Sequence, residues 1–157
     1  MKPFETIENE LIDRPPGWWE RIVAAIPELV ALADTKQPPE YHAEGDVAQH
    51  TRRAVEACSP GCNPDLLWAA LLHDIGKPLV TRDEDDKIIA RGHHIVGAEM
   101  AEKILQRLEM PPVRSERIVW VIRHHLFHLS CGFSKLNQPL HQGKERIVPS
   151  YKNFLIP

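Results

Sequence analysis

Apolar residues recur at helical spacing through most of the chain, and prolines and glycines cut that pattern into short segments. After Pro15-Pro16-Gly17, the stretch WWERIVAAIPELVALAD reads as one or two amphipathic helices, with Pro27 kinking or restarting it. Residues 35–45 read as a loop. Asp46 is suited to cap a helix VAQHTRRAVEAC, which places His50 in its first turns. SPGCNP is a tight connection, after which Asn63 offers a cap, Pro64 a first helical position and Asp65 an acidic first turn. The helix that follows, DLLWAALLHDI, is apolar almost all round, so it is expected to be central and buried. Gly76 is expected to stop it and Pro78 to prevent its resumption.

Residues 79–91 hold an acidic turn, DEDD at 83–86, between two short β-prone runs. A small hairpin and a mobile loop both fit. A helix of about 15 residues is expected from His93, with Ile104, Leu105 and Leu108 on one face, ended by Pro111-Pro112. VRSERIVWVIRHHLFHL reads as a further helix, with Ile118, Val121, Ile122 and Leu126 at helical spacing. Trp68 and Trp120 are expected in the core, as are Trp18 and Trp19. Residues 1–14 are polar and read as irregular. Residues 131–157 hold no sustained period. The expectation is an all-α domain over 15–130, a bundle of about six helices with at most one small hairpin, between a polar N-terminal segment and an irregular tail.

Composition narrows the class. At 157 residues the chain suits one domain with a real core, and 43% hydrophobic with 26% charged residues is ordinary for a soluble protein. A net charge of −3 does not indicate a nucleic-acid partner, although it leaves room for a local basic patch. Three cysteines, an acidic start without an apolar signal core, and no long apolar run point to a reducing, cytoplasmic setting away from membranes. Cys58 and Cys62 are spaced CxxxC without a local second pair of ligands, and read as ordinary partly buried thiols.

Nine histidines is a high count, and their placement matters more than their number. His73 and Asp74 are adjacent at the end of the apolar helix. They converge on one ion only if the helix gives way to a turn there, as Gly76 suggests. A carboxylate in apolar surroundings is costly unless it is paired or coordinates metal. His50, the pair His93-His94, and the pair His124-His125 with His128 all fall near helix boundaries or on an apolar-faced helix. Such a collection reads as a ligand set for one or two divalent cations. Arg52 and Arg53 follow His50, and Arg123 precedes His124. Each is either surface charge or a phosphate clamp.

The ordered segments YHAEGDVAQHT (41–51), LLHDIGKP (71–78), GHHIVGAEMAEKILQRLEMP (92–111) and VIRHHL (121–126) resemble the HD-domain superfamily of metal-dependent phosphohydrolases. The likeness is strongest to the HD domain attached to bacterial CCA-adding tRNA nucleotidyltransferases and to related short hydrolases. The resemblance implies an all-α bundle and a metal site of His50, His73, Asp74, His93 and His125, with Asp74 bridging and His124 the alternative to His125. By the same resemblance His94 is a neighbour and not a ligand, and Lys77 approaches substrate phosphate; His124, Arg53 and Arg123 are further candidates for contact with it. The implied chemistry is hydrolysis of a phosphate ester or diester, on a nucleotide or other phosphorylated small molecule, by metal-activated water. Asp74 and Lys77 are its catalytic residues. A non-catalytic binding or regulatory module, or an accessory domain of a larger RNA-processing enzyme, is the rival. The family usually closes its site with a later Asp, and this chain has none after Asp86. Glu145 is the nearest carboxylate, in a context that does not match.

Overall fold

Pro3 opens a helix where the polar composition of the first residues predicts none. In the computed structural model, which describes residues 1–37, 45–85 and 87–126, α1 spans Pro3–Asp13. Phe4, Ile7 and Leu11 share one face of it and are buried. Pro3 occupies the first turn, where its missing N–H costs nothing, and the Lys2 amide donates to Glu5 at 2.8 Å. The expected irregular segment over 1–14 is therefore corrected. Three apolar residues at helical spacing suffice to dock a helix whose other positions are polar. This helix belongs to the same compact unit as the rest of the bundle, Met1–His125.

The chain continues through α2 (Trp18–Ala25) into a 3-10 turn, Pro27–Leu32, so Pro27 restarts the backbone as its fixed φ requires. Asp46 caps α3 (Val47–Glu56), accepting from the Gln49 amide at 2.8 Å. Asn63 caps α4 (Pro64–Leu72) in the same way. Helix α4 is the spine of the core: Leu67, Trp68, Ala69, Leu71 and Leu72 are all buried. Helices α1, α3 and α7 pack against it. After Gly76 a short helix, α5 (Lys77–Val80), does form, because Pro78 stands in its first turn, where proline is tolerated. The acidic segment is an antiparallel hairpin, β1 (Arg82–Glu84) with β2 (Lys87–Ile89), Arg82 facing Ile89. Asp85 takes a left-handed conformation at its tip.

The longest helix, α6 (His93–Arg107), runs beside α7 (Pro112–His124). Ile118 and Ile122 set the buried face of α7, which turns Trp120 and Val121 outward. Trp120 is 46% exposed, against the expectation of a core tryptophan. Seven α-helices, one 3-10 turn and one two-stranded sheet make up the described residues, an all-α fold. None of these helices is long and apolar enough to cross a membrane. Cys58 and Cys62 are free, half-buried thiols, and burial, then the neighbouring Cys62, pushes the Cys58 thiol up. Most of the 35–45 loop, together with His128, Cys131, Glu145 and the 131–157 tail, lies outside the described residues.

Two glycines bring the His73-Asp74 turn and the start of α6 together. A Cβ on Gly76 would lie 2.4 Å from the His93 carbonyl oxygen and 2.5 Å from the Gly97 amide nitrogen. One on Gly97 would lie 3.3 Å from the Gly76 nitrogen. The turn after α4 therefore touches the first turn of α6 backbone to backbone, and the spacings HDIG and HxxxG describe the two sides of that contact.

Candidate metal centre

Asp74 sits in the turn after α4 and is only 2% exposed. Its Oδ2 lies 2.7 Å from Lys77 Nζ, 3.0 Å from His73 Nε2 and 3.7 Å from His50 Nε2. Its Oδ1 lies 3.2 Å from His93 Nε2 and 3.8 Å from His125 Nε2. Five side chains from five places meet at this one carboxylate: α3, the end of α4, α5, the start of α6 and the end of α7. Two overlapping groups have ligand atoms mutually within 4.8 Å: His50, His73 and Asp74, and Asp74, His93 and His125.

The rings are held in a defined sense. His73 Nδ1 lies 2.9 Å from the Ala70 carbonyl, His93 Nδ1 2.7 Å from Ala90, and His125 Nδ1 2.6 Å from Ile122. A carbonyl oxygen only accepts, so each Nδ1 carries hydrogen and donates. A neutral ring so held presents a bare lone pair at Nε2, and those three nitrogens face the carboxylate. His93 Nε2 and His125 Nε2 stand 3.2 Å apart. Two lone pairs at that distance repel unless positive charge lies between them. Imidazole nitrogens fixed by hydrogen bonds from their far side, around a carboxylate, are the donor set of a first-row divalent cation. The residues present therefore fit such an ion.

The electrostatics agree. Burial alone would raise the Asp74 carboxyl. When protons on His73 and His93 Nε2 stand in for a cation, their hydrogen bonds and the charges of His73 and Lys77 outweigh it and hold the group far below the usual carboxylate range. His125 is pushed down to about 4, first by burial, against the Ile122 carbonyl, with His73 and His93 adding to the depression and Asp74 opposing it. Both shifts favour the ligating forms, an ionised carboxylate and a neutral imidazole.

The structure does not gather every residue singled out in the sequence. Arg53 is exposed on α3 and lies outside both ligand groups. His124 turns away from Asp74: its Nδ1 donates to the Trp120 carbonyl at 2.8 Å, and its ring stacks on Trp120 with centroids 4.5 Å apart. Arg123 is half-buried nearby, and its charge helps to lower the His94 pKa, after burial, His93 and His124. His94 packs edge-on against His93 and His125, outside both ligand groups. Sequence reading passed over Gln37. This buried residue accepts from Lys77 Nζ at 2.7 Å and donates to the Asp46 carbonyl at 3.1 Å. A lone Gln forty positions from its partner carries no local signal.

A helical bundle whose buried carboxylate is ringed by imidazoles has the groups that could hold a metal ion. Residues 46–145 match the model of the HD domain, and the chain belongs to that family. It is similar to the multifunctional CCA protein of Hahella chejuensis, 32% identical over 100 residues, which is 63% of this chain and 23% of that protein. The multifunctional CCA protein of Cupriavidus metallidurans is 36% identical over 101 residues, 64% of this chain and 24% of its own length. The chain thus spans about a quarter of the length of these curated relatives. No solved structure matches it.

Proposed function

We propose that this domain is a metal-dependent phosphohydrolase acting on a phosphomonoester or phosphodiester, and on a nucleotide in particular. The observation that carries the reading is the Asp74 carboxylate, buried, with imidazole Nε2 atoms facing both of its oxygens. His50, His73, Asp74, His93 and His125 would hold one or two divalent cations. A cation bound there supplies a water that ionises near neutral pH and a charge that offsets the phosphoryl oxygens. Asp74 contributes the negative charge and, through its two oxygens, links the two ligand groups. The Ala70, Ala90 and Ile122 carbonyls keep three imidazoles aimed, with hydrogen on Nδ1 and Nε2 turned to the centre. Lys77 spends two of its three N–H donors on Asp74 and Gln37, which leaves one for a phosphate oxygen. Arg123, half-buried at the α7 end, is the further cation in this reading. His124 and Arg53 enter only if substrate reaches beyond the centre.

A second reading, a nucleotide-binding or accessory module without turnover, is favoured by one observation. No Asp follows position 86 in this sequence, so none of these residues supplies the late Asp of the family. The two readings part in a single set of assays. The purified chain, stripped by chelator and resupplied with Mn²⁺, Co²⁺, Ni²⁺ or Zn²⁺, is tested on a phosphodiester, a phosphomonoester and a 2′,3′-cyclic nucleotide. Metal-restored turnover on any of them supports the hydrolase. Retained metal without turnover on all three supports the module.

A further inference from the structure

The two ligand groups share Asp74 but not on equal terms. Oδ2, which faces His50 and His73, already accepts from the Lys77 ammonium at 2.7 Å. That ammonium is not a passing contact. Lys77 is buried, it is one short turn beyond Asp74, and Gln37 Oε1 anchors it from the other side at 2.7 Å. Gln37 is itself fixed by its bond to the Asp46 carbonyl at the head of α3. Among the described residues, Oδ1 faces His93 and His125, whose Nε2 atoms stand 3.2 Å apart with both Nδ1 atoms committed to carbonyls. An ion in the first group must share its carboxylate oxygen with a fixed positive charge. An ion in the second takes the oxygen that carries none and relieves two opposed lone pairs.

From this asymmetry, and resting on the metal-site reading above, we infer that Lys77 is a built-in counter-ion that ranks the two metal positions. The Asp74–His93–His125 group holds the tight ion, and the His50–His73–Asp74 group holds a weaker, second ion against the Lys77 charge. Among the described residues, the first group also has no further carboxylate to offset the ammonium, which fits the same ranking. The enzyme would then keep one resident ion and recruit another at high metal concentration, or with a phosphate that brings negative charge to Lys77.

The test is metal stoichiometry, independent of turnover. The chelator-stripped 157-residue chain is titrated with Zn²⁺ by calorimetry and passed through gel filtration, and the retained ion is counted by elemental analysis. Wild type is expected to retain one ion and to bind the second at least about tenfold more weakly, the least that a unit charge repelling a nearby dication amounts to in water. Lys77→Gln should tighten the second ion by about tenfold or more, and Lys77→Arg should leave the gap in place. His93→Ala should lose the retained ion, and His50→Ala should keep it. If Lys77→Gln does not fold by circular dichroism, the two histidine variants decide. Two equal ions in wild type, or an ion lost in His50→Ala and kept in His93→Ala, would overturn the ranking. Failure of resupplied wild type to bind any ion would overturn the metal-site reading itself.

Discussion

The contact between Gly76 and the start of α6 makes a sharp test of how the centre is assembled. Gly76 has φ −82° and ψ −14°, a conformation open to any residue, so alanine there meets no backbone penalty. What it meets is space. Its Cβ would fall 2.4 Å from the His93 carbonyl oxygen and 2.5 Å from the Gly97 nitrogen, roughly 1 Å inside ordinary contact, and both neighbours are backbone. The turn and α6 must part. Overpacking of this kind costs about 1–3 kcal/mol. For a chain of this size that is a fall in Tm of roughly 3–10 °C. Because the displaced backbone carries His93, the variant should also lose affinity for metal beyond what its stability explains. The assay is calorimetric unfolding of Gly76→Ala with and without resupplied metal. Gly61→Ala serves as control, since its Cβ meets nothing within 4 Å. Its φ of +76° predicts a backbone cost of about 1 kcal/mol and no loss of metal. A Gly76→Ala protein as stable as wild type, with unchanged metal retention, would refute the close-approach argument.

Three further outcomes follow from the packing and the charges. Leu11→Ala should destabilise by about 2–5 kcal/mol in urea unfolding, because α1 buries that side chain completely, and a change below about 0.5 kcal/mol would return the N-terminal segment to the surface. His125→Ala should cost far more activity in a phosphoesterase assay than His124→Ala, since only the former ring faces Asp74, and the reverse order would exchange their roles. In metal-stripped protein, the unfolded chain takes up a proton on His125 near pH 6.5 and the folded chain only near about 4. That residue's share of stability is therefore intact above 6.5 and falls as pH drops towards 4, by up to about 3 kcal/mol, and urea midpoints that hold steady or rise over that interval would contradict the assignment.

What the sequence reveals here depends on how local each cause is. Helix α4 is legible because its apolar residues are continuous, and α3 because Asp46 announces its own cap. The motif spacing around Asp74 carries information because Gly76 and Gly97 must touch, a constraint that two glycines can record. Helix α1 is hidden because average polarity outweighs three correctly spaced apolar residues. Trp120 and Val121 are misread because hydrophobicity alone does not fix the phase of α7, which Ile118 and Ile122 decide by packing on α4 and α6. Gln37 is invisible because its meaning arises only when α5 folds back against the segment before α3. The choice between His124 and His125 likewise rests on where α7 ends, a boundary that sequence periodicity locates only to within a residue or two.

The most direct measurement is elemental analysis and turnover of Asp74→Asn beside wild type, at matched helical content by circular dichroism. Asparagine keeps the shape and removes the charge that both ligand groups share. The account predicts a folded protein that retains no divalent ion and hydrolyses no phosphate ester. A folded Asp74→Asn protein with its ion in place and its turnover intact would contradict it.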